Sequence, residues 1–153
     1  MTLTLQPHLP VGEWICQTPL ETSETGRLIG RGLRGGEIIL LDGSLGAGKT
    51  TFAKGLAAEL ALDPDEITSP SFSLVNRHTG RLLLYHLDLY RLGEGAAAAA
   101  AVDLDEILED QRAVTVIEWA IRLGNYPLPP PVWRVTIAGD GDEARRILVV
   151  RLI

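Results

Sequence analysis

Glu37-Ile38-Ile39-Leu40-Leu41-Asp42-Gly43-Ser44-Leu45-Gly46-Ala47-Gly48-Lys49-Thr50 is the stretch whose reading decides the fold. Ile38 to Leu41 are four apolar residues in a row behind the pair Gly35-Gly36, the pattern of a buried strand. Gly43 to Thr50 fit G-x4-G-K-T. From Lys49 to about residue 62, Phe52, Leu56, Ala57 and Leu60 recur at helical spacing. Strand, glycine loop and helix therefore follow in the order that a phosphate-binding P-loop requires.

Each fixed residue of that loop has a mechanical reason. Gly43, Gly46 and Gly48 let the backbone wrap tightly, so that consecutive N–H groups point at phosphate oxygens. The helix starting near Lys49 adds the partial positive charge of its N-terminus. Lys49 places an ammonium on the β- and γ-phosphates, and the Thr50 hydroxyl can ligate magnesium. The expected ligand is ATP with magnesium. The expected contacts are Ser44, Leu45, Gly46, Ala47, Gly48, Lys49, Thr50 and Thr51.

Outward from the loop, residues 1–12 read as a loose arm. Thr18-Pro19-Leu20-Glu21 then opens a helix, with Thr18 as cap, proline in the first turn and Glu21 reaching back. Leu20, Leu28, Ile29 and Leu33 supply its apolar stripe, and it ends near Gly35-Gly36. Strands are expected at residues 71–75 and 81–88, with a hairpin turn at 76–80. The alanine run 96–101 favours helix, and residues 104–109 a second short one. Residues 113–117 read as another buried strand, and the proline-rich 127–131 as a stiff connector. Residues 133–138 and 147–152 pair as a closing hairpin around the acidic turn 139–143. The whole reads as one α/β domain over 1–153, of P-loop NTPase type, three-layered, with a mixed β-sheet flanked by helices.

A P-loop needs a carboxylate at the end of a neighbouring strand to hold the metal's surroundings. Asp88 closes one apolar run and Glu118 another. By position alone Asp88 is either that metal carboxylate or a solvated strand-end acid. Glu118 either orients water or supports magnesium, or simply ends its strand. Trp119 shields the site or packs. Thr68-Ser69-Pro70-Ser71 is either a nucleotide sensor or an ordinary serine-proline turn. Three scattered histidines and one cysteine, Cys16, give no zinc spacing; a lone thiol is most often a packed small hydrophobe.

Bulk properties bound the partners. At 153 residues, with 46% apolar and 22% charged residues, the chain has the composition of one ordinary domain with a substantial core. No apolar stretch approaches the roughly 18 residues that span a bilayer, and the first ten residues lack a secretory pattern, so a cytoplasmic location without membrane contact is expected. A net charge of −6, with Lys49 and Lys54 the only lysines, argues against direct nucleic-acid binding.

Taken together the segments resemble the TsaE (YjeE-like) family, ATPase components of bacterial tRNA threonylcarbamoyladenosine synthesis. Residues 41–52 read as that family's Walker A segment. Residues 68–75 are similar to its serine-proline switch segment, and 84–92 to its Walker B-like strand end. Val116-Ile117-Glu118-Trp119-Ala120 is similar to its late Glu-Trp motif. The resemblance runs from about residue 18 to 152. It implies Thr50, Asp88 and Glu118 around magnesium, and Glu118, with Lys49 and Asp88, in catalysis. It also implies Thr22 near the nucleotide and Ser69 to Ser71 in a nucleotide-responsive loop. Partners implied are the TsaB and TsaD subunits, which act with a TsaC-type enzyme on adenosine 37 and which Mg-ATP binding and hydrolysis would reset between turnovers. The tRNA is met only indirectly, through those partners. Two features depart from the family. Many members carry an acidic residue at the place of Ser44, and the alanine run 96–101 replaces a more charged helix. A small-molecule kinase shares the P-loop, but no arginine-rich lid is apparent beyond Arg122 and Arg145-Arg146. A guanine-nucleotide switch would carry an Asn-Lys pair, and there is none.

Overall fold

Thr18 starts the first helix in the manner its sequence predicts, in a computed structural model that describes residues 8–70 and 72–153. The elements in chain order are β1 (Gly12–Cys16), α1 (Pro19–Gly32), β2 (Ile38–Gly43), α2 (Lys49–Ala58), β3 (Val75–Thr79) and β4 (Leu83–Asp88). They continue with α3 (Ala96–Ala101), α4 (Leu104–Leu108), β5 (Ala113–Glu118), β6 (Val132–Ala138) and β7 (Arg145–Arg151). Thr18 Oγ1 accepts from the Glu21 N–H at 3.2 Å, and the Glu21 carboxylate accepts from the Gln17 N–H at 2.7 Å. Both ends of the first turn are thereby satisfied.

Among the described residues, seven strands form one mixed sheet in the order β1-β7-β6-β2-β5-β4-β3. The inner four, β6, β2, β5 and β4, are parallel, and antiparallel pairs close both edges. Alternation along β2 sends Ile39 and Leu41 to a core with Phe52, Leu56 and Trp133, beneath α1 and α2. Ile38 and Leu40 go to the opposite core, with Ala98, Leu104 and Ile107 from α3 and α4. Helices thus cover both faces, as a strand apolar on both sides requires.

Several local expectations are corrected. The described part of the 1–12 arm is not loose: Leu9 is buried, the His8 ring donates to Glu37 at 2.6 Å, and Gly12 already begins β1. Residues 1–7 lie outside the described residues. The strand expected at 71–75 begins only at Val75, and residues 76–79, expected to turn, form its body. They pair with β4 from Asn76–His86 to Thr79–Leu83, and the turn falls at 80–82. Polar residues on an edge strand carry little apolar signal, which is why the pattern misplaced it. Leu74 ahead of it has a left-handed φ of 67°.

Helix α1 stops at Gly32, and Leu20 faces solvent. Ile29 and Leu33 are buried as expected, and the rest of the buried face is Thr22, Thr25, Gly26 and Gly30. Small residues there let α1 and α2 touch backbone to backbone: a Cβ on Gly55 would lie far inside contact distance of the Ser23 carbonyl oxygen. Gly55→Ala is therefore expected to destabilise the fold by about 1–3 kcal/mol through overpacking. Urea denaturation measures it, and an unchanged midpoint would contradict the close packing.

Candidate functional site

The loop joining β2 to α2 leaves the carboxyl end of a central parallel strand, where open α/β sheets place their ligands. Gly46 and Gly48 take φ of 82° and 110°, which residues with a Cβ rarely adopt. Gly43 is needed for space, since a Cβ there would lie 2.8 Å from the Ile137 carbonyl oxygen. Gly48 ends the loop as the residue before α2, leaving the first N–H groups of the helix unpaired by any side-chain cap.

Strand β5 runs parallel beside β2 and β4 parallel beside β5, which brings Asp88 opposite Glu118. Parity puts Leu84, His86 and Asp88 of β4, and Val114, Val116 and Glu118 of β5, on the face covered by α2. Glu118 is 3% exposed and Asp88 5%. Glu118 Oε1 lies 3.5 Å from Lys49 Nζ, and His86 Nε2 is 2.6 Å from its Oε2. Burial pushes the Glu118 pKa up. The His86 hydrogen bond, the His86 and Lys49 charges and the Lys49 hydrogen bond outweigh that and bring it below the ordinary carboxylate value. The group is thus an ionised carboxylate pinned between two cationic or donor side chains.

Asp88 is held by a different set. Its Oδ1 accepts from the Tyr90 N–H at 3.0 Å and its Oδ2 from the Ser69 hydroxyl at 3.4 Å. Its own N–H donates to the Leu74 carbonyl at 3.0 Å. Ser69 therefore touches the acid, so the 68–70 part of the serine-proline segment belongs to the site; Ser71 lies outside the described residues. Trp119 follows Glu118 with a left-handed φ of 58°, tilts against Tyr90 with centroids 4.7 Å apart, and lies 5.8 Å from Lys49 Nζ.

These groups share one open cleft of about 770 Å³, lined by Ser44, Leu45, Gly46, Gly48, Lys49, Thr50, Thr51, Ser69, Asp88, Glu118 and Trp119 among others. A smaller cavity of about 280 Å³ opens behind the loop, walled by Thr22, Gly46 to Gly48, Thr51 and the turn Gly141 to Glu143. Ala47 is fully buried and contributes backbone alone. The residues expected to contact nucleotide or magnesium or to act in catalysis, Thr22, Ser44 to Thr51, Asp88 and Glu118, thus line one of these two adjoining spaces. For a magnesium ion, the oxygen donors present are the Thr50 hydroxyl and the Asp88 and Glu118 carboxylates. The described residues hold no His, Cys, Asp and Glu cluster of metal-cage type. Hard oxygen donors few in number fit an ion that completes its shell with phosphate and water.

A profile of the family described as "Threonylcarbamoyl adenosine biosynthesis protein TsaE" matches residues 16–147. The chain belongs to the TsaE family. The Treponema pallidum protein named tRNA threonylcarbamoyladenosine biosynthesis protein TsaE is 38% identical over 139 residues, 88% of this chain and 97% of its own length. The namesakes from a Nostoc species and Bacillus subtilis are 39% and 35% identical, over 82% and 88% of this chain and 76% and 82% of theirs. The crystal structure of Bacillus subtilis YdiB superposes with a TM-score of 0.70 at 32% identity, covering 95% of this chain and 88% of that one. The TsaE membership and the P-loop NTPase-type architecture expected from the sequence are thereby established.

Two residues of this TsaE-family site escaped the sequence reading. His86 is one of the three histidines that have no metal-ligand spacing in the sequence. Its parity with Asp88 was the available signal, since both must face the α2 side. Arg145 donates through Nε to the Ala47 carbonyl at 2.9 Å, and nothing local to its sequence points there. Cys16 is buried with Sγ 3.4 Å from Thr25 Oγ1, the packed small side chain expected.

Proposed function

We propose that this chain is a magnesium-dependent ATPase of tRNA threonylcarbamoyladenosine synthesis, binding a TsaB–TsaD pair and using ATP to reset it between turnovers. The observation that carries the reading is the convergence of Lys49, Glu118 and Asp88 at the mouth of one glycine loop. The family names of the relatives supply the tRNA-modification context.

In this reading the triphosphate lies in the larger cleft and the base in the cavity beside Thr22. Loop N–H groups and the start of α2 hold the β-phosphate, and Lys49 swings from Glu118 to the γ-phosphate. Glu118, still bonded to His86, then orients the attacking water and accepts its proton. Thr50 and Asp88 would hold magnesium, with Glu118 beside them supporting its water shell, and the ion would neutralise phosphate charge. Ser69 on Asp88 ties the Thr68-Ser69-Pro70 segment to the state of the site. The tRNA is met through the partners, in keeping with the net charge of −6. Among the described residues no helix is long and apolar enough to cross a membrane, and a cytoplasmic site of action is part of this proposal.

A small-molecule kinase would need the arginines named for a lid to be available. Arg145 is spent on backbone carbonyls, Arg146 lies 3.4 Å from Glu13, and Arg122 lies 4.0 Å from Glu94. The test is ATP turnover with and without the TsaB–TsaD pair. Slow turnover that rises on adding the pair is expected; a pair that neither binds nor changes turnover would sink the proposal.

A further inference from the structure

We propose that Arg145 is a positioning residue for the phosphate loop, setting the direction of its N–H groups from behind. The inference rests on the reading of that loop as a triphosphate site. Arg145 opens β7, directly after the turn that follows β6. Its guanidinium reaches across to the loop, where Nε donates to the Ala47 carbonyl at 2.9 Å and Nη2 to the Gly46 carbonyl at 3.3 Å. The remaining bonds hold its own turn: Nη2 donates to the Gly141 carbonyl at 3.0 Å and Nη1 to the Glu143 carbonyl. Four carbonyls from two loops, 98 and 99 residues apart on the long side, thus meet one planar fork.

The consequence follows from the peptide plane. A trans amide points its C=O and the next N–H in opposite directions. Anchoring the Ala47 carbonyl on Arg145 therefore turns the Gly48 N–H to the opposite side, away from the guanidinium. The Ala47 N–H is already used, donating to the Ser44 carbonyl at 3.0 Å. Gly48 N–H is the loop donor whose direction Arg145 decides.

Two further observations set this apart from an ordinary turn closure. Among the described residues Arg145 forms no direct ion pair with a carboxylate, although Asp140, Asp142 and Glu143 stand on the same turn, so its guanidinium is committed to backbone carbonyls alone. That charge stands behind a loop expected to hold a polyanion. Gly139 also makes room for the stem: a Cβ there would lie 2.8 Å from Arg145 Cδ and 2.6 Å from the Ala144 carbonyl oxygen, at a φ of 133°. The fork is needed rather than a charge, because lysine carries a point charge on a single head and cannot span both loops.

The experiment compares Arg145→Met, Arg145→Lys and Gly139→Ala with the parent chain. Binding of Mg-ATP is followed by calorimetry, and binding of inorganic tripolyphosphate by displacement of a fluorescent ATP analogue. Arg146→Met, which alters the neighbouring surface arginine, is the control for general effects on the β6–β7 turn. Arg145→Met and Arg145→Lys are both expected to weaken Mg-ATP and tripolyphosphate alike, by about tenfold. Gly139→Ala is expected to weaken both less, and Arg146→Met neither. Unchanged tripolyphosphate affinity in Arg145→Met, or full affinity in Arg145→Lys, overturns the proposal. Should Lys49→Ala also leave tripolyphosphate affinity intact, the phosphate-site reading itself falls, a result distinct from failure at Arg145 alone.

Discussion

Lys49→Ala is expected to lower the affinity for Mg-ATP by about 2–5 kcal/mol, the cost of truncating one partner of a desolvated charge pair. At 1.4 kcal/mol per factor of ten, that is roughly thirty- to several-thousand-fold. The side chain is 14% exposed and its ammonium sits 3.5 Å from Glu118 and 5.8 Å from the Trp119 ring. In the unliganded protein it is therefore occupied with an acid that must be exchanged for phosphate. The exchange is favourable only because a triphosphate brings more negative charge than one carboxylate. Removing the ammonium also removes one of the influences that hold the Glu118 pKa down. Lys49→Arg should not restore binding, since a planar fork cannot take the place of a point charge within the tight loop. Calorimetric titration with Mg-ATP decides it, and an alanine variant with parental affinity would remove this loop from the nucleotide reading.

The parts of the site that were legible in the sequence are those whose geometry is local. Gly43 to Thr50 lie within one strand-loop-helix unit, so spacing alone orders them. Asp88 and Glu118 were legible because a parallel sheet puts its functional residues where apolar runs end, and each ends such a run. What joins them is not local. The bond from His86 to Glu118 spans 32 residues, and the bonds from Arg145 to the loop span 98 and 99. No periodicity carries such a partnership. In the fold the same rule holds: β2 and β5 announce themselves by burial on both faces, whereas β1 is five residues of an edge, mostly exposed, and becomes a strand only by pairing with β7. The buried face of α1 was legible only at Ile29 and Leu33, for a related reason. The rest of its stripe is threonine and glycine because the partner is the backbone of α2, and a hydrophobic pattern cannot report a contact made by small residues.

Glu118→Gln is expected to leave Mg-ATP affinity within a few fold and to lower turnover by about 10²–10⁴, the usual range for loss of a positioned general base. Glutamine keeps the length and one oxygen acceptor, so it can still meet His86 or Lys49, but it cannot accept a proton from water. The comparison with Glu118→Ala separates two roles. A residue that only orients Lys49 would be partly replaced by glutamine and not by alanine, whereas a proton acceptor is lost equally in both. On the proposed reading the second outcome is expected, since the buried Glu118 is held in the charged form that can take up a proton. His86 takes one of its oxygens and Lys49 lies 3.5 Å from the other, which in the proposed cycle would pass to water once the ammonium moves to phosphate. Single-turnover ATP hydrolysis, alone and with the TsaB–TsaD pair, reads the chemical step directly. Parental turnover in Glu118→Gln would exclude a proton-accepting role and leave Asp88 as the acid to examine.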